Sequence, residues 1–296
     1  MAGTIEIPES LKAELPPSKW GKVLGATPIV MTVIATLLAG LASSEMTKAQ
    51  YVRSLAAQLQ SKAGDQWGYA AAKKTRGALA HNSLDLLAAT ADVRPLDAAI
   101  LSDAGAATVA ALTKGDLPAA ERAKFDAEIQ SALDAVGNSA AEKDIAGQLV
   151  KIKDDALAAA LGSAQAAALA FDTAAKPITK AADKLDESLM GAGDKNAFAS
   201  FAAARLRYTA ARYDAEAQLN QSIASIYELQ IRKANLTAEQ HHARSGKFFM
   251  GMLAAQAAVI IATFALAARK KNFLWSIAAG AGVLAVVFSL YVYLYV

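Results

Sequence analysis

The sequence predicts an all-α protein in which three transmembrane helices carry a long antiparallel, coiled-coil-like helical stalk outside the membrane. Three stretches of the chain are uncharged and reach the ~20 residues needed to cross a hydrocarbon core of ~30 Å. The residues between the first two stretches are dominated by Ala, Leu, Gln, Lys, Asp and Glu, all but Asp good helix formers. No segment shows the strict alternation of a half-buried strand. A mean hydropathy of +0.25 agrees with a membrane protein, although Ala, roughly a quarter of the 296 residues, inflates the apolar count.

Residues 1–22 read as a polar N-terminal segment. Glu6, Glu9 and Glu14, and an apolar stretch longer than a typical signal core, argue that the first span is a retained anchor. That span takes residues 23–45, with Trp20 as an interfacial marker before it. Val52, Leu55, Leu59 and Ala63 keep helical spacing, so Met46 to Ala91 reads as one helix leaving the membrane, with Gly64, Gly68 and Gly77 as points where it could bend. Arg94-Pro95 ends it. Asp116-Leu117-Pro118 predicts a helix start, and Gly137-Asn138-Ser139 closes that helix and opens another from Ala140 to Ala175. Pro177 is expected to break or kink the segment. Gly191-Ala192-Gly193 reads as a loop, with Asp194 capping the helix after it. That returning helix has no Pro, and no Gly before Gly246, so it is expected to run into the second span, residues 248–268. Residues 269–272 are a basic loop. Residues 273–296 form the third span, marked by Trp275, Tyr291, Tyr293 and Tyr295. The stalk is therefore residues 46–247.

The chain offers little catalytic chemistry. Without cysteine it has no disulfide, thiol nucleophile, Cys-zinc site or Cys-ligated cluster. A net charge of +3 is too balanced for a nucleic-acid binder. His241 and His242 are adjacent on a helix, about 100° apart, and cannot chelate one ion together, which leaves them an interfacial role. His81 reads as solvated. Gly191-Ala192-Gly193-Asp194 lacks the rest of a phosphate-binding loop, and no catalytic signature occurs. The expectation is a protein that is not an enzyme and takes no cofactor or metal. The apolar stretches from Val23 to about Ser44, Phe248 to Ala268 and Phe273 to Val296 carry no ionisable side chain, which counts against an ion-coupled carrier. Gln256 is the one strongly polar side chain near mid-membrane, and helix packing beside Ala254, Ala255 and Ala258 is its expected role.

One extramembrane segment stands out: Asp65-Gln66-Trp67-Gly68-Tyr69-Ala70-Ala71-Ala72-Lys73-Lys74. Asp65 and Tyr69, then Tyr69 and Lys73, repeat a four-residue spacing. Trp67 reads as an anchor for the stalk against the returning helix, or as a subunit contact filling a partner's pocket. DQWxYxxAK on a helix after a first span, with two final spans joined by a basic hairpin, resembles the bacterial membrane-protein family known as domain of unknown function 4337. The resemblance in layout covers most of the chain, while the residue match is confined to Asp65, Gln66, Trp67, Tyr69 and Lys73 and to the hairpin. It implies three spans and a helical middle, with no established activity. The chain departs from the family pattern in its longer, Ala-rich middle and in Gly68, where bulkier residues are common.

Three function classes fit these features: a self-assembling membrane-anchored scaffold, a pore or transporter subunit, and an accessory subunit of another membrane complex. A channel should present a continuous polar stripe along one span, and only Thr27, Thr32 and Thr36 with Gln256 offer one, so the scaffold is favoured. Its expected partners are the lipid bilayer and further copies of itself, with no nucleic acid. Small residues in the spans, among them Ala254, Ala258, Gly280 and Gly282, would let helices of different copies approach closely. In the stalk, two Ala-rich helices alone would leave Phe198, Phe201, Tyr213 and Tyr227 to be covered by other copies.

Arg269, Lys270 and Lys271 crowd a short loop, which the positive-inside rule places in the cytoplasm of a bacterial inner or intracytoplasmic membrane, and the stalk in the periplasm. Lys48, Arg53, Arg232, Lys233, Arg244 and Lys247 flank the stalk side and oppose that orientation. With single cysteines at Ser139 and Asn272, an impermeant maleimide added to intact spheroplasts is expected to label position 139 and spare 272. The reverse pattern inverts the topology.

Overall fold

The computed structural model describes residues 19–101, 105–118, 123–267 and 273–295. The N-terminal segment 1–18 and the basic loop 269–272 lie outside these residues, as does the side chain of Trp20. The described residues contain seven α-helices: α1 (Lys19–Thr90), α2 (Ala106–Lys114), α3 (Ala127–Gly137), α4 (Glu142–Leu149), α5 (Asp154–Ala192), α6 (Lys195–Ala267) and α7 (Phe273–Tyr295). A 3-10 turn, Ala98–Leu101, precedes α2, and no strand occurs among the described residues. Three helices, α1, α6 and α7, are long and apolar enough to cross a membrane.

The chain divides into two compact units, Met1–Ser54 with Asn235–Val296, and Leu55–Ala234. Residues 46–54 and 235–247 cluster with the apolar helix segments, and α1 and α6 run through those positions without a break.

Burial along α1 recurs every seventh residue. Ala35, Ala42, Ala49, Ala56, Ala63 and Ala70 are all buried, and Gly77 continues the series. On α6 the same interval collects Ala203, Ala210, Ala217, Ala224, Ala238 and Ser245, all buried, with Ile231 at the remaining position. A sevenfold repeat is the spacing that keeps one helix face toward a partner, and side chains of one carbon let two backbones approach to the short end of the usual ~8–10 Å.

In the span unit, three helix segments meet. Ala35, Ala255 and Ala285 form one layer, and Leu38, Ala42, Phe248 and Val292 form the next. Ser245 donates to the Ala42 carbonyl at 2.7 Å, joining two positions of the small-residue series. Met31 packs onto Gly282 so closely that a Cβ there would collide with its thioether. Of the small residues expected to serve contacts between copies, Ala258 and Gly282 are thus used within the chain, whereas Gly280 faces open space. Trp275 reaches Thr27 through its indole N–H at 3.2 Å.

In the other unit, α6 packs against α1 and α5. A Cβ on Gly77 would lie 2.9 Å from Asp214 Oδ1 and 3.6 Å from the Ala210 carbonyl oxygen, so the position leaves no room for a larger side chain. α5 buries Leu157, Ala164, Phe171 and Ile178 at sevenfold spacing, with Ala175 and Ala182 between heptad neighbours. These side chains share clusters with Ile226 and Leu229, with Ile223 and Tyr227, with Leu219, and with Phe201 and Tyr208 of α6. The expectation that Phe201 and Tyr227 wait for another copy is therefore corrected: a third long helix of the same chain buries them.

Three further expectations change. Of the break or kink expected at Pro177, the break does not occur: Pro177 lies inside α5 and does not end it. It sits on the exposed face, where water can serve the carbonyl its missing N–H leaves free. The helix expected over 140–175 is instead α4, a turn over 150–153, and α5. The start expected at Asp116 is not helical at 116–118; residues 119–122 lie outside the described set, and α3 begins at Ala127. Asp194 caps α6 as expected, accepting from the backbone N–H groups of Asn196 and Ala197 at 3.0 and 3.1 Å. Gly193 before it has φ +75°, a left-handed stop for α5 that favours glycine.

Ala70→Leu should overpack the helix contact and cost about 1–3 kcal/mol, lowering the thermal midpoint of the detergent-solubilised protein. Ala71→Leu, on the exposed side, should leave the midpoint nearly unchanged.

Candidate functional site

The singled-out segment of α1 separates into faces. Asp65 and Tyr69 are exposed, and Gly68 has nothing packed against it. Gln66 turns toward the protein, and its buried Oε1 has no hydrogen-bond partner among the described residues. Trp67, about two-fifths exposed, donates its indole N–H to Glu228 Oε1 on α6 at 3.2 Å. Lys73 forms an ion pair with Glu216 of α6. The structure thus ties Trp67 and Lys73 to the returning helix and leaves Asp65 and Tyr69 outside.

Lys73 belongs to a polar node. Glu216, which is buried, also faces Arg212 Nε at 3.3 Å, one helical turn away. Arg212 donates to Thr179 Oγ1 of α5 at 2.6 Å. Lys73 and Arg212 both lie over the Tyr213 ring, 5.2 and 4.8 Å from its centroid. Three helices are therefore pinned by one carboxylate held between two cations. Burial pushes the nearby Tyr208 phenol above its usual range; Arg212 pulls it back and Glu216 adds to the rise. The phenol stays neutral at physiological pH.

Beside Trp67 lies a cavity of about 940 Å³. One wall is a polar stripe of α6: Gln218, Gln221, Ser222, Ser225 and Glu228. The rest of the lining is largely apolar, with Phe125, Leu133 and Val136 and with Phe171 of α5, and Gln130 among them. The sequence reading missed this site. Its signal is the run of polar side chains at three- and four-residue intervals along a helix that buries much of its surface.

A second omission lies in the span unit. Glu45 is buried, accepts from Lys48 Nζ at 2.7 Å, and is hydrogen-bonded by His241 Nδ1 at 2.6 Å. Glu45 is the last residue of the first span, and His241 lies two turns before the second. Matching those distances from the membrane would have paired them. His241 is thus partnered, while His242 is exposed, and His81 is exposed as expected, with Asp214 3.6 Å away. Among the described residues no group of three His, Asp or Glu sits together as a metal site.

Gln256 faces outward. Its neighbour Ala255 is fully buried in the layer with Ala35 and Ala285, near the middle of all three apolar stretches, but Gln256 itself is exposed beside Leu253, Ile260 and Phe264.

Glu216→Ala would leave Lys73 and Arg212 partly buried and facing each other without their anion. The expected loss is about 3 kcal/mol in denaturant unfolding of the full chain, with a much smaller loss for the exposed Asp65→Ala. Comparison with protein families, curated proteins and solved structures found no match to this chain.

Proposed function

We propose that the protein is a membrane-anchored helical scaffold that assembles with copies of itself and carries no catalytic activity. Outside the membrane its long helices form an antiparallel coiled-coil-like stalk. That reading is supported by the small-residue repeats of α1 and α6 and by the contacts Ala42 with Ser245 and Gly77 with Ala210. The stalk is assigned to the periplasmic side of a bacterial inner or intracytoplasmic membrane, from the basic loop 269–272. Membership of the family resembled at Asp65 to Lys73 is part of the same proposal.

The observation that carries self-assembly is the outward Gln256. A primary amide has two donor hydrogens and an acceptor oxygen, and hydrocarbon satisfies none of them. Two such amides on a twofold axis satisfy each other, so a second copy of the same helix face is the simplest partner. Exposed Gly280 adds a notch without side-chain volume on α7.

Gln256→Leu keeps the volume and removes the amide. An interhelical hydrogen bond in a membrane is worth ~0.6–2 kcal/mol. The variant should therefore weaken self-association by about three- to thirtyfold while leaving helix content unchanged. Native mass spectrometry in mild detergent reads the change, and a wild-type chain that stays monomeric across concentrations would sink the proposal.

A further inference from the structure

We infer that the cavity beside Trp67 is a binding site for a lipophilic organic cation, an apolar body carrying an amine or quaternary ammonium head. The shape of the site comes from one helix. The stripe from Gln218 to Glu228 extends ~15 Å along α6, so it suits an elongated molecule lying parallel to the helix. Such a molecule sets its apolar side against Phe125, Leu133 and Phe171 and leaves its polar edge to the glutamines and serines.

Charge fixes the head group. Glu228 is the one titratable side chain among the described residues lining the cavity, and it stands at one end of the stripe. Its partner is the Trp67 indole N–H, a neutral donor, and no Lys or Arg among the described residues pairs with it. A partly buried carboxylate held by a neutral donor favours a cation beside it. The indole next to it offers an aromatic face to the same charge. An anionic head at that end would meet the carboxylate directly. This site also gives Trp67 a use beyond joining two helices, and it is independent of whether copies of the chain associate.

The test uses the full chain in a non-ionic detergent, with Trp20→Phe and Trp275→Phe so that emission reports Trp67 alone. Octyltrimethylammonium and octanesulfonate, matched in tail and opposite in charge, are titrated separately below their micellar concentrations. The expected result is a saturable change in emission with the cation and none with the sulfonate. Glu228→Gln, which keeps the indole contact, should weaken the cation by about tenfold or more. Ala167→Phe, which fills the cavity from α5, should remove binding. Circular dichroism verifies that each variant keeps its helix content, and equilibrium dialysis of the cation against unsubstituted tryptophans provides a second readout. No saturable binding of the cation by either method, equal binding of both amphiphiles, or an unchanged affinity in Glu228→Gln would each overturn the inference.

Discussion

The absence of side-chain volume at every seventh position is the constraint on which both units depend. A helix contact built on Ala and Gly gains little from apolar area, because one methyl group removes little surface from water. It gains from proximity instead: backbones that nearly touch bring many atoms to van der Waals distance at once. Hence the intolerance of volume at Ala70 or Gly282, where no cavity waits to receive a larger side chain. Bulk is supplied elsewhere, by α5, whose Leu157, Phe171 and Ile178 fill the other side of α6.

Close approach also decides where polar groups can go. A charged side chain at the edge of such a contact is cut off from water on one flank and must meet its counterpart across the gap. Glu45 with His241 and Lys48, and Glu216 with Lys73 and Arg212, each satisfy that demand within their own unit. Gln256 and Glu228 differ. One faces outward among apolar side chains, and the other is met, among the described residues, by an indole. Both proposals rest on these two groups, because a polar atom without an adequate partner inside the chain points to one outside it.

How much of this the sequence disclosed depends on how distinctive each residue is against its background. Uncharged runs of twenty residues are unmistakable in a chain with charges elsewhere, and the three long apolar helices were legible for that reason. Asp194 was legible because a cap needs only its own neighbours. The sevenfold series of alanines was hidden by abundance: with Ala at roughly a quarter of all positions, a periodic subset does not stand out from the rest. Pro177 misled because its cost depends on which face it occupies, and burial is a property of the folded chain. The third long helix was missed for the same reason, since the expected break at Pro177 divided it. Glu228 was not legible as a site because its partner lies 161 residues away along the chain, and Glu45, 196 residues from His241, could be paired with it only by their similar distances from the apolar stretches.

The uniformity of the small-residue series has a further consequence. A contact made of identical units spaced seven apart looks almost the same after one helix slides by seven residues, so packing alone sets the spacing of the allowed alignments without selecting among them. Selection falls to the few residues that break the monotony. Within the span unit, Ser245 on the Ala42 carbonyl and Glu45 with His241 mark one alignment, and within the other unit Lys73 with Glu216 marks one of its own; a slide of one repeat would separate each of these contacts. They act as the teeth of a key on an otherwise smooth shaft. Deleting one tooth weakens the fold locally. Deleting several would leave a chain still helical and still packed, able to settle into more than one alignment.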